Sequence, residues 1–145
     1  MASRTAQRAG SRIMPITEVK EWIRYACECN CCPELESKIR IEWSNRLTRS
    51  MGNCGRGRWC DVGGRSWVIK LSVPIFNRAN KEERYNTIVH EACHAIDDYI
   101  NGRIDPLMEG HGPKWQAIMR KCGIEPTRYH YVDISGLRAR HEYIC

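Results

Sequence analysis

Residues 82–100 read as about five turns of helix that is apolar around most of its circumference. Tyr85, Ile88, Val89, Ala92, Cys93, Ala95, Ile96, Tyr99 and Ile100 cover a broad face. Such a helix must be central to whatever the chain builds. Asn80, with Glu83 three residues on, has the signature of a capping box, and Asn101-Gly102 is a stop signal. Inside this helix lies His90-Glu91-Ala92-Cys93-His94. Histidines at i and i+4 share one face one turn apart, so both can reach one metal ion. Unpaired imidazoles would be costly in so apolar a helix. Zinc suits imidazole ligands and lowers the pKa of bound water to about 7. Glu91, on the same turn, is placed to take a proton from that water. Hydrogen-bonded core histidines are the blander reading of the pair.

A catalytic zinc usually has three protein ligands. His111, after a loop and at the start of another helix, is the preferred third, because imidazole matches the other two. Glu109 is the competing acid. His130 and His141 read as ordinary polar residues.

Around this centre the chain reads as helix, strands, helix, helix, an α+β order. Residues 1–12 look like a flexible basic tail. Thr17 is the expected N-cap of a helix running to about Cys27, and Pro33 should break any helix there. Residues 38–43 alternate apolar and charged side chains, as in a strand with one buried face. Residues 51–66 carry five glycines and are expected to form turns and hairpin connections. Residues 66–73 form a β-branched run, a second strand that Pro74 ends. Pro113 sits in the first turn of a last helix that buries Trp115, Ile118, Met119 and Cys122 and stops at Gly123.

The 145 residues suit one domain. No stretch approaches the apolar length of a membrane span, and nothing at the N-terminus resembles a secretory signal. The expected setting is therefore intracellular, whether in microbial or virus-infected cytoplasm or in a eukaryotic nucleus. Nine cysteines, an odd number, read as thiols in a reducing compartment. Cys93 and Cys122 read as small buried residues. The Cys27–Cys32 run, with Cys54 and Cys60, leaves open a second metal site or partly buried thiols at a helix end.

The net charge is +6, unevenly spread. Residues 1–12 carry Arg4, Arg8 and Arg12 and no acid, and residues 45–70 sum to +5. Such clustering points to a polyanion, with nucleic acid first. Arg46, Arg49, Arg56, Arg58, Trp59 and Arg65 are the candidate contacts, and single-stranded DNA suits tryptophan stacking between guanidinium groups. Trp67, in a strand, is expected in the core instead. A solvated basic surface is the plainer alternative.

The segment Ile41-Glu42-Trp43-Ser44-Asn45-Arg46-Leu47, followed by Met51-Gly52-Asn53-Cys54, resembles that of the SprT-like (Spartan) family of zinc metalloproteases. So do Trp67–Ser72, Thr87–Ala95 and Gly110-His111-Gly112-Pro113-Lys114-Trp115 with Met119. The resemblance covers about residues 38–124. It implies a zincin-like fold, a small antiparallel or mixed sheet packed on the HExxH helix. It implies His90, His94 and His111 as zinc ligands and Glu91 as the catalytic acid/base. Some members degrade proteins crosslinked to DNA and are activated by DNA. Many continue into a zinc ribbon, and residues 141–145 look like the approach to one that is truncated or lost.

The reading is thus a basic tail (1–12), a SprT-like metalloprotease domain (13–124) and a C-terminal extension (125–145). The expected activity is zinc-dependent endopeptidase action on DNA-associated or DNA-crosslinked proteins, by water attack on a peptide carbonyl. The expected partners are protein substrates and DNA, with no membrane and a monomer favoured. The alternatives are a nucleic-acid-binding module with a structural zinc, and a zinc peptidase or amidase unrelated to DNA.

Overall fold

A computed structural model of the chain describes residues 4–57, 65–102, 111–126, 129–131 and 142–144. The first surprise is at the N-terminus. Residues expected as a tail form helix α1 (Arg4–Ile13), which buries Ala6 and Gly10. The reason is steric. Gly10 lies flat on the Trp43 indole, where a Cβ would overlap the ring. Gln7 Oε1 also accepts a hydrogen bond from the Trp43 backbone N–H at 2.7 Å. Small residues spaced one turn apart thus give a helix of low intrinsic apolarity a docking face.

Helix α2 (Ile16–Cys29) starts one residue before the expected cap. The Pro15 carbonyl accepts from the Glu18 and Val19 N–H groups at 3.0 and 3.2 Å, leaving Thr17 inside the first turn. A 3-10 turn, Pro33–Lys38, leads into β1 (Ile39–Ser44), whose Ile39, Ile41 and Trp43 point inward. Strand β2 (Gly52–Arg56) lies where turns were expected, and β3 (Trp67–Ser72) follows. The sheet is mixed, in the order β1-β3-β2. β1 runs parallel to β3, with Ile39 opposite Trp67 and Ser44 opposite Ser72. β2 runs antiparallel to β3, with Gly52 opposite Leu71 and Arg56 opposite Trp67. Low strand propensity in 52–56 is overridden because β3 offers a complete ladder to pair with.

Pro74 does more than end β3. It occupies the first turn of a short helix, α3 (Val73–Arg78), for which Ser72 is the N-cap, its hydroxyl accepting from Ile75 N–H at 3.1 Å. The central helix α4 (Lys81–Asn101) has the expected capping box. Asn80 Oδ1 accepts from Glu83 N–H at 2.8 Å and Glu83 Oε1 from Asn80 N–H at 2.7 Å. Gly102, at φ 67°, closes its C-terminus in the left-handed region that glycine tolerates. Helix α5 (Pro113–Lys121) follows, and β4 (Tyr129–Tyr131) pairs antiparallel with β5 (Glu142–Ile144).

Helix α4 packs against α2, α5 and the β2 side of the sheet. Trp22 meets Tyr85 edge-on across the α2–α4 contact, with ring centroids 4.3 Å apart. Trp43, Trp67, Phe76 and Trp115 are fully buried, each contributing on the order of 2–3 kcal/mol through burial. Trp67 is a core residue, as expected. The architecture is α+β with a small mixed sheet. No described helix is long and apolar enough to cross a membrane.

Candidate active site

One turn of α4 presents His90 and His94 on the same face, their ring centroids 5.0 Å apart. His111, just before α5, lies at the same place. Its Nε2 lies 3.2 Å from His90 Nε2. The ligand atoms of the three histidines all lie within 4.8 Å of one another. Among the described residues this is the one convergent group of three or more potential metal ligands. Cys27, Cys29, Cys31, Cys32 and Cys54 do not form a second, and Cys60 lies outside the described residues.

Trp115 is the floor of this group. Its ring stacks on His94 at 5.2 Å between centroids and 18° between planes. It meets His90 at 4.6 Å and His111 at 4.7 Å on their edges. The indole fixes the imidazole planes and shields one side from water. Gln116 Nε2 donates to the His111 carbonyl at 3.0 Å, tying the His111 backbone to α5. The aromatic residue four positions after His111 was legible in the sequence as a core residue; its contact with all three imidazoles was not.

Burial sets the protonation of the group. Desolvation first, and the neighbouring His111 second, lower the His94 pKa to about 3, so its ring is neutral with a lone pair available. Glu91 is 1% exposed, and burial pushes its carboxyl up to about 8. Its Oε2 has no hydrogen-bond partner among the described residues. A buried carboxylate oxygen without a protein partner suits a site that receives water, a cation or substrate. A cation seated among the imidazoles would draw the carboxyl back towards the ionised form.

Strand β2 reaches this carboxylate because residue 52 is glycine. A Cβ there would stand 3.3 Å from Glu91 Cγ and Thr87 Cγ2 and 3.1 Å from the Lys70 carbonyl. At the other end of β2, Arg56 donates from Nε and Nη2 to the Asp98 carboxylate at 2.9 and 2.6 Å. Asp98 is fully buried and also accepts from Trp67 Nε1 at 2.7 Å. Arg65 donates to the Asp98 and Tyr99 carbonyls, both at 3.0 Å, beneath the end of α4. Two of the candidate nucleic-acid contacts therefore have their guanidinium groups engaged with α4. Arg46 and Arg49 are exposed, and Arg58 and Trp59 lie outside the described residues. Asp98 escaped the sequence reading; its signal was an acid on the most apolar helix of the chain.

On the opposite side of α4, Cys93 Sγ lies 3.9 Å from Cys122 Sγ, both buried. Burial raises the Cys93 thiol well above its ordinary pKa, so it packs as a neutral group.

The SprT-like family model matches residues 20–132, which include both strands flanking β3, all of α4 and the His111 segment. The chain belongs to the SprT-like family. Within it, this SprT-like chain is 32% identical over 115 residues to the bovine (Bos taurus) DNA-dependent metalloprotease SPRTN, covering 74% of this chain and 22% of that protein. The zebrafish (Danio rerio) protein of the same name is 30% identical over 117 residues, 75% of this chain and 17% of its own length. Human germ cell nuclear acidic protein is 30% identical over 112 residues, 72% of this chain and 15% of that protein. The chain thus spans less than a quarter of the length of these relatives. No solved structure matches it.

Proposed function

We propose that this SprT-like chain is a zinc-dependent endopeptidase acting on proteins associated with DNA. The observation that carries the reading is the meeting of His90, His94 and His111 beside a buried carboxylate, Glu91. Three imidazole nitrogens within 4.8 Å fit a small ion with a nitrogen preference, and zinc is the natural occupant. When bound, zinc supplies a Lewis acid that polarises a carbonyl and acidifies water.

The protein's own residues do the rest. Glu91 accepts a proton from the attacking water and passes it to the leaving amine nitrogen. Its desolvated carboxyl is poised for that exchange, since burial brings its pKa towards neutrality. Trp115 holds the imidazoles in place and excludes water from behind them. A substrate segment lies along β2, which is an edge strand of the sheet and runs beside Glu91. Pairing with an edge strand aligns a peptide by its backbone and is indifferent to most of its sequence.

The name of the SPRTN relatives and the excess of positive charge in this chain both support DNA as the partner. The test is cleavage of a DNA-binding protein such as a histone, by zinc-loaded wild type and Glu91→Gln, with and without single-stranded DNA. Cleavage by wild type alone, and only with DNA, is the expected result. Cleavage of the same substrate at the same rate without DNA would leave a zinc peptidase and remove the DNA half of the reading. Equal cleavage by Glu91→Gln would overturn the mechanism.

A further inference from the structure

Helix α1 lies before the residues that match the SprT-like family, so its role is not inherited from that match. Its outward face carries Arg4, Arg8 and Arg12, all exposed, at i, i+4 and i+8. Residues at that spacing stand in a row along one side of a helix. Three like charges in such a row repel one another and weaken the helix. The helix contains no acid to offset them, and none of the three makes an ion pair with a described residue.

The elements packed against α1 do not neutralise the row either. Helix α3 has no acid and ends in the exposed Arg78. The one acid of β1, Glu42, lies 3.8 Å from Arg40. The row is also held rigidly. Gln7 is bonded to the Trp43 backbone, Gly10 lies against the Trp43 ring, and Arg84 donates to the Ile13 carbonyl at 3.3 Å and the Phe76 carbonyl at 2.9 Å.

We infer that the Arg4–Arg8–Arg12 row of α1 is a binding site for the phosphate backbone of a nucleic acid. A membrane surface fits less well. A basic helix enters an interface through an apolar face, and the buried residues of α1 are already seated on the sheet. Guanidinium groups spaced along a rigid rod suit a polymer of phosphates, each able to meet one oxygen pair. The row is separate in sequence from the 46–65 stretch, in which Arg56 and Arg65 are engaged with α4. The choice of nucleic acid over other polyanions rests on the DNA half of the proposed function.

The test uses the full chain and a fluorescein-labelled single-stranded oligonucleotide, titrated at several salt concentrations. The variants are the combined Arg4→Gln, Arg8→Gln, Arg12→Gln protein and its lysine counterpart. Each phosphate contact on a single strand contributes about 0.7 to the slope of log affinity against log salt. The glutamine variant should therefore lose about 2 from the slope, and affinity on the order of tenfold at low salt. The lysine variant should keep the slope. Circular dichroism should match wild type in both, and Tm should fall in neither. An unchanged slope in the glutamine variant, or no oligonucleotide binding by wild type, would overturn the inference. So would binding of wild type to phosphatidylserine vesicles but not to the oligonucleotide. Peptidase activity on a histone, with the oligonucleotide present, is read on the same proteins. If wild type shows none and the slope still falls, the protease reading fails and the binding site stands.

Discussion

Arg56 holds Asp98 in a two-pronged grip, Nε to Oδ2 at 2.9 Å and Nη2 to Oδ1 at 2.6 Å, and the carboxylate it holds is fully buried. The pair pins the far end of the edge strand β2 to the end of α4, one turn beyond His94. Removing Arg56 leaves a buried charge with Trp67 Nε1 among its remaining donors. Breaking a buried pair costs about 3–5 kcal/mol, and the half-exposed guanidinium brings the expected loss for Arg56→Ala to about 2 kcal/mol. Urea denaturation would read this as a lower midpoint, and an unchanged midpoint would show the grip to be ornamental.

The raised pKa of Glu91 makes the stability of the metal-free protein depend on pH. The folded carboxyl holds its proton up to about pH 8, against an ordinary value of 4.5. Its favourable contribution is therefore full below about 4.5 and is lost as pH rises through 8. Glu91→Gln should abolish that part of the slope between pH 5 and pH 8. The difference between wild type and variant, by denaturant titration in the presence of a chelator, isolates it from the histidines.

Metal retention separates ligand from base. His111→Ala should lower zinc affinity by at least tenfold, while Glu91→Gln should keep the ion. Both are read by competition with a coloured chelator. Zinc should also raise Tm in wild type, because a ligand of the folded state alone stabilises it by mass action. If His111→Ala binds zinc as tightly as wild type, the third ligand lies elsewhere.

Gly10 gives a test of opposite sign to helix propensity. In an exposed helix, glycine to alanine stabilises by about 1 kcal/mol. Here the new methyl group would meet the Trp43 indole, and overpacking costs about 1–3 kcal/mol. Gly10→Ala should therefore lower Tm; a rise would mean that α1 does not dock on Trp43.

Much of this was readable from residues. The capping box at Asn80 and Glu83, the stop at Gly102 and the start at Pro113 are local devices, written in neighbouring side chains and found where they were expected. So was the pairing of His90 with His94, which needs only helical spacing. Other features are tertiary. Strand 52–56 contains two glycines and forms because β3 lies beside it. Helix α1 forms where a tail was expected because Gly10 and Gln7 find Trp43, more than thirty residues away. Pro74 carries a local signal that can be read two ways, as the end of a strand or the first turn of a helix, and Ser72 decides between them. Asp98 could not be assigned from sequence because its partners, Arg56 and Trp67, come from two different strands.

The docking of α1 along β1 also bears on how copies of this chain can associate. Gln7 occupies the Trp43 N–H on the strand that would otherwise be a second open border of the sheet. With that N–H occupied and α1 docked along it, the β1 border of this sheet is less open to a second strand than the β2 border. Within the three-stranded sheet, the docked helix works as a one-sided guard against edge-to-edge growth.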